Sequence, residues 1–259
     1  MIDSHLHLDL MSYKDVDDML GAGIHGAVAC SYVFQPSSSG TVIDHYRMLV
    51  AVYRAMAAAR GFTLGVALGL HPRGIPPDWS AILDALPDWL ARPGVVALGE
   101  IGLDWADGRE KEVLEAEFKL AAQLDKRVVV HLPGTNRETA VGVVLDLAEK
   151  AGLNPASMVV DHVGPDVLGS VKAAGCRIGL TVKPGRLSPE DVLTMLHSGI
   201  DLSGAMLNSD AANLKASDPL AVALTAAHLR RAGVDETVVA ALAGGNARDF
   251  FGLSREGWR

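Results

Sequence analysis

Eight short apolar runs rich in β-branched residues alternate with longer amphipathic or alanine-rich stretches, and this alternation constrains the fold more than any other feature of the chain. The runs fall at residues 2–7, 24–30, 63–70, 95–101, 128–131, 158–162, 177–182 and 205–209. Between them the pattern predicts helices over 13–20, 41–60, 78–86, 109–125, 136–151, 166–174 and 189–198, with 218–232 and 235–251 completing the series. Gly152, Gly175 and Gly199 stand at predicted helix ends, and Ser188-Pro189 opens a helix. Strict alternation implies a parallel sheet with helices outside it, and eight repeats favour closure into a (β/α)8 TIM barrel, an α/β fold. A doubly wound open sheet calls for a glycine-rich first turn, whereas this one reads Leu8-Asp9-Leu10-Met11-Ser12. The 259 residues, 49% hydrophobic, are expected to form one domain, 1–259, because about 250 residues is the usual size of a single barrel.

Formal charge is -8, which argues against a broad electrostatic footprint for duplex DNA and leaves room for a local cationic pocket. Cys30 and Cys176 lie in or beside apolar runs without C-x-x-C spacing, so buried free thiols in a reducing cytoplasm are expected. The N-terminus is acidic and histidine-containing where a secretory leader needs a basic stretch and a long apolar one. No run approaches the roughly 18 apolar residues of a membrane span. The expected protein is soluble, cytoplasmic and free of membrane partners.

Chemistry gathers at the ends of the predicted strands. His5 and His7 form a His-x-His pair, and residues two apart in a strand share one face, so both imidazoles can serve one metal ion. Five of the nine histidines, His5, His7, His71, His131 and His162, fall at predicted C-terminal strand ends, where barrels carry their sites. Glu100 follows the fourth strand and Asp210 the eighth, which gives one rim enough imidazole and carboxylate for one or two divalent ions. An ionised Glu100 ending a buried strand needs a partner. Asp9, Asp104 and Asp161 read as supporting or capping groups, and His25, His45, His197 and His228 lie off the rim.

The stretches Ile2-Asp-Ser-His-Leu-His-Leu-Asp9, Gly69-Leu-His-Pro72, Gly99-Glu-Ile-Gly-Leu-Asp104, Val130-His131, Asp161-His162, Asp210 and Gly245-Asn-Ala-Arg-Asp-Phe250 span nearly the whole chain. In this order they resemble the TatD-like hydrolases of the amidohydrolase superfamily. The resemblance implies that His5, His7 and Asp210 bind one divalent ion and His131 and His162 a second, with Glu100 bridging. Paired cations lower the pKa of a shared water and stabilise charge on the attacked group, and Asp210 stands where it can take the water's proton. Mixed imidazole and carboxylate ligands suit zinc, manganese or iron.

Typical nucleases of that family carry Glu-Thr-Asp-x-Pro at strand eight and His-x-Arg at strand five. Here the strings are Asn208-Ser209-Asp210-Ala211-Ala212 and His131-Leu132-Pro133, so the expectation is a divergent branch with a changed pocket. Substrate contacts are expected from His71, Arg73, Arg137 and Lys183, with Arg186 and Lys215 as further cations on the same face. Strand-end packing for His71 and simple solvated charge for the cations stay open as alternatives. The leading expectation is a metal-dependent hydrolase using activated water on an ester, phosphoester or amide centre of a small or short anionic substrate. A single-strand nuclease is the second, with Tyr32, Phe34 and Trp105 near the rim for stacking. A noncatalytic metal-binding barrel and a non-hydrolytic metal-assisted reaction complete the alternatives.

Overall fold

The computed structural model describes residues 1–212 and 216–253; Lys215 lies outside the described residues. Strands β1 (Ile2–Leu6), β2 (Gly26–Cys30), β3 (Thr63–Leu68), β4 (Val95–Gly102), β5 (Val128–His131), β6 (Met158–Val160), β7 (Arg177–Thr181) and β8 (Met206–Asn208) form one sheet in sequence order. Every neighbouring pair is parallel. The ring is closed where the last strand meets the first: Asp210 N–H donates to the His5 carbonyl at 2.9 Å and His7 N–H to the Ala211 carbonyl at 2.9 Å. The architecture is a (β/α)8 barrel, and all eight expected strands are present: β5 has the expected bounds, β4 runs one residue longer, and the other six are trimmed by one to two residues.

Helices α1 (Tyr13–Gly21), α2 (Ser39–Arg47), α3 (Arg54–Ala59), α4 (Ser80–Leu90), α5 (Gly108–Gln123), α6 (Arg137–Lys150), α7 (Pro165–Ala173), α8 (Pro189–His197), α9 (Ala221–Arg231), α10 (Glu236–Ala240) and α11 (Asn246–Phe251) follow in chain order. Ser12 and Ser188 each close a reciprocal capping box, with Asp15 and Asp191, at the starts of α1 and α8; such a cap contributes about 1 kcal/mol. The helix expected over 41–60 begins earlier, at Ser39, and α2 joins α3 through a wider π-helical segment, Met48–Tyr53. The helix expected over 235–251 is broken at Gly244, whose φ of 154° lies outside helical geometry. A β-carbon there would come within 2.6 Å of the Ile2 backbone nitrogen, so the chain bends where it passes under β1.

Strand residues divide between two apolar clusters according to the two-residue period of the pleat. Ala27, Ala29, Leu64, Val66, Leu68 and Val130 pack beneath the helices. Val28, Cys30, Ala67, Val129, Val159 and Met206 form the other cluster together with Ala247, Phe250, Phe251 and Leu253. Truncating a buried Leu such as Leu68 to Ala would cost about 2–5 kcal/mol through lost burial and the cavity left behind. Cys30 and Cys176 are buried free thiols, and burial pushes both up to about 11. Among the described residues no helix is long and apolar enough to cross a membrane.

Candidate metal centre

The pleat that sends Val28 and Val129 into the barrel also sends His5 and His7 inward from β1, and the Nδ1 atom of each is already committed. His5 Nδ1 lies 2.7 Å from Asp161 Oδ2, and His7 Nδ1 lies 3.1 Å from the Cys30 carbonyl oxygen. A carboxylate and a carbonyl only accept, so each ring carries its proton on Nδ1 and turns the lone pair of Nε2 toward the mouth. His5 Nε2 is buried, has no hydrogen-bond partner and sits 3.2 Å from Glu100 Oε2. His7 Nε2 is 3.3 Å from Asp210 Oδ1 and 3.9 Å from the same Glu100 oxygen.

Glu100, 1% exposed near the end of β4, divides its two oxygens between two sets of imidazoles. Oε2 faces His5 and His7, while Oε1 is 2.8 Å from His131 Nδ1 and 3.3 Å from His162 Nε2. Burial opposes ionisation of this carboxyl, but the His5 and His131 imidazoles that flank it hold it well below the usual carboxylate range. His162 is steadied by a 2.7 Å contact from Nδ1 to Thr181 Oγ1, and burial pushes its pKa down to about 3, leaving a neutral ring suited to ligation. His162 and Asp210 both adopt left-handed backbone, with φ of 60° and 43°, uncommon for non-glycine residues and concentrated at functional sites.

Among the described residues, three sets have ligand atoms within 4.8 Å of one another: His5, His7 and Asp210; His5, Glu100 and His162; His71, Glu100 and His131. The orphaned Nε2 of His5 and the shared carboxylate of Glu100 fit a divalent cation or an adjacent pair. All six residues expected as metal ligands therefore meet at one end of the barrel.

The family model described as TatD related DNase matches residues 2–252. The chain belongs to the TatD family. A metal-dependent hydrolase of Methanocaldococcus jannaschii, described as uncharacterized, is 29% identical over 255 residues, 98% of this chain and 100% of the relative. The crystal structure of a TatD-like protein from Archaeoglobus fulgidus superposes with a TM-score of 0.83 at 28% identity, covering 97% of this chain and 99% of that one. A TatD homologue of Escherichia coli K12, 20% identical, shares the fold with a TM-score of 0.71 over 98% of both chains. The protein is a metal-dependent hydrolase of the TatD family.

Within this TatD barrel the mouth holds a cavity of about 280 Å³ whose lining includes His7, Tyr32, His71, Arg73, Lys183, Arg186 and Asp210. His71 is more deeply involved than the sequence indicates. Its Nδ1 accepts from the Arg73 backbone N–H at 3.1 Å, which leaves the proton on Nε2, 3.7 Å from Glu100 Oε2. Burial holds His71 well below its ordinary pKa, so it offers a neutral N–H to the cavity.

The expected cations have different fates. Arg73 pairs in two-pronged fashion with Asp104, at 2.7 and 2.8 Å, and Asp104 in turn lies 3.7 Å from His131 Nε2. Lys183 Nζ is bonded to Asp210 Oδ2. Arg137 does not line the metal cavity. Its guanidinium is drawn aside to Asp166 at 2.6 Å, the Pro133 carbonyl at 3.0 Å and the His162 carbonyl at 2.5 Å, tying the loops after β5 and β6 together. Arg186 does line the cavity, and its NH1 and NH2 groups donate to the Pro133 and Leu132 carbonyls, both at 3.1 Å. Asn208, one of the departures at strand eight, donates from Nδ2 to Asp161 Oδ1 at 3.0 Å and so braces the carboxylate behind His5.

Proposed function

We propose that residues 1–259 act as one hydrolytic domain in which His5, His7 and Asp210 hold one divalent ion, His131 and His162 a second, and Glu100 bridges them. The single observation that carries the reading is the division of Glu100 between the two sets of imidazoles, at 3.2 Å on one side and 2.8 Å on the other. Bound zinc, manganese or iron supplies Lewis acidity there, lowering the pKa of water and stabilising charge on the attacked centre.

The chain's own groups do the rest. Asp210 accepts the proton of the attacking water; burial opposes its ionisation, but the adjoining His7 imidazole keeps it well below the usual carboxylate range. Lys183 holds Asp210 Oδ2 and so fixes the orientation of the base. His71 donates from Nε2 toward the developing charge, and the Arg73–Asp104 pair steadies His131. The substrate is a small or short anionic ester, phosphoester or amide; a cavity of about 280 Å³, just below the range of about 300–1,000 Å³ usual for small-molecule sites, favours a small one. The buried free cysteines are in keeping with a reducing, cytoplasmic setting.

A second reading, cleavage of single-stranded nucleic acid, draws support from a groove beside the cavity. Phe34 and Trp105, 59% and 80% exposed, line it together with Arg73, which also lines the cavity. Exposed aromatics beside a cation are what stacked bases use. The deciding experiment incubates metal-loaded protein with a labelled single-stranded oligonucleotide and with a panel of small anionic esters, amides and lactones, using Asp210→Asn as the contamination control. Turnover of a small ester by wild type alone supports the first reading. Cleavage of the oligonucleotide by wild type alone supports the second, and inactivity of the metal-replete protein on both sets rejects the pair.

A further inference from the structure

Of the cations that line the cavity among the described residues, Arg186 is set apart by its partners. Arg73 is paired with Asp104 and Lys183 with Asp210. Arg186 forms no ion pair with a described carboxylate; its two recorded bonds go to the Leu132 and Pro133 carbonyls. A guanidinium has five N–H donors, so three remain uncommitted among the described residues. The Pro133 carbonyl also receives Arg137, at 3.0 Å, so two guanidiniums converge on one oxygen. Burial and the neighbouring Arg137 both disfavour the charge on Arg186, a cost that a bound anion would relieve.

Beside this point lies a pocket of about 190 Å³ whose lining includes Gly134, Thr181, Arg186 and, on its far side, Arg137 paired with Asp166 at 2.6 Å. It adjoins the metal cavity, with which it shares Gly134, His162, Gly185 and Arg186. A substrate reaching from Glu100 past His162 therefore meets Arg186 with its far end.

We infer that Arg186 forms an oxyanion subsite that anchors a phosphate or carboxylate group of the substrate remote from the bond being cleaved. The substrate class is accordingly a small ester or amide bearing a second, terminal oxyanion, and this rests on the hydrolytic reading above. The fork of the guanidinium matches two oxygens of either group.

Two experiments test it separately from the hydrolytic reading. In the first, inorganic phosphate and malonate are titrated calorimetrically into the full chain stripped of metal by chelation and shown by circular dichroism to be folded. Wild type binds at least one of them, Arg186→Gln weakens that binding about tenfold or more, and Arg186→Lys, which keeps the charge, retains part of it. The stronger ligand tells tetrahedral from planar oxyanion. Absence of binding by wild type, or equal binding by Arg186→Gln, overturns the subsite. In the second, the metal-loaded protein is given 4-nitrophenyl acetate and 4-nitrophenyl hemisuccinate, which differ by a remote carboxylate. The ratio of kcat/KM for hemisuccinate over acetate falls about tenfold in Arg186→Gln, chiefly through KM; an unchanged ratio overturns the assignment. Should wild type leave both esters intact, the hydrolytic reading fails on them while the titration still decides Arg186.

Discussion

A β-carbon on Gly179 would sit 1.6 Å from Asp161 Oδ1, so the carboxylate that orients His5 occupies room that only a glycine on β7 leaves open. Gly179→Ala is expected to push Asp161 off His5 and Asn208, and Asp161→Asn to remove the charge while keeping the shape. Each should weaken metal binding about 10–100-fold, the usual effect of losing a ligand's outer hydrogen-bond partner. Competition with a chromophoric chelator measures this, and wild-type affinity in both variants would remove Asp161 from the role.

Asp210→Asn should lower kcat by about 10²–10⁴-fold, the range contributed by a positioned general base, together with any loss of metal affinity. Its thermal unfolding should remain cooperative. The check is a kcat measurement at saturating metal on whichever substrate wild type turns over, and wild-type kcat there would exclude the proton-accepting role.

Chelation should abolish hydrolysis and lower the unfolding temperature, and added divalent metal should restore both. A ligand that binds only the folded state adds about 2.7 kcal/mol at a hundredfold excess over its Kd. Differential scanning calorimetry across a metal titration checks the concentration dependence. A chelated protein with unaltered activity would mean that the imidazoles serve something other than a metal.

Glu117 predicts a pH dependence of stability away from the ligands. Its Oε1 accepts the Leu70 N–H at 2.7 Å, its Oε2 is buried without a partner, and burial pushes its pKa well above the ordinary 4.5. A folded-state pKa raised in this way means that the contribution is fully present below pH 4.5 and is lost as pH climbs toward the folded value. Glu117→Gln keeps the bond to Leu70 and never ionises. Urea midpoints between about pH 5 and 9 should fall more steeply with pH in wild type than in the variant; parallel curves would show that Glu117 does not titrate in this range.

The strands and the histidines and carboxylates gathered at the mouth were legible because both follow from short periods: apolar runs of four to eight residues mark buried parallel strands, and a histidine or carboxylate at the end of such a run has one rim to go to. Arg137 and Arg186 were not separable by the same logic. Arg137 opens α6 and Arg186 sits on the loop after β7, and their destinations depend on which carbonyls and carboxylates the surrounding segments bring near, namely Asp166 for one and Leu132 for the other. The break at Gly244 was hidden for a similar reason, since it answers to the backbone of Ile2 at the other end of the sequence. The proton position on His71 follows from a backbone N–H two residues on, a local contact that no spacing rule encodes.

The bonds from Asp210 to His5 and from His7 to Ala211 join the two ends of the sequence. During synthesis the imidazoles of β1 emerge first and Asp210 last, so the early chain offers only part of a coordination sphere. Ring closure of this kind is slow, because nearly the whole polypeptide must be looped before the contact forms. With the ligand set proposed above, firm uptake of the ion at this pair of strand ends would report that the polypeptide has finished folding, and a truncated product lacking the last strand would be distinguishable by the cation it fails to retain.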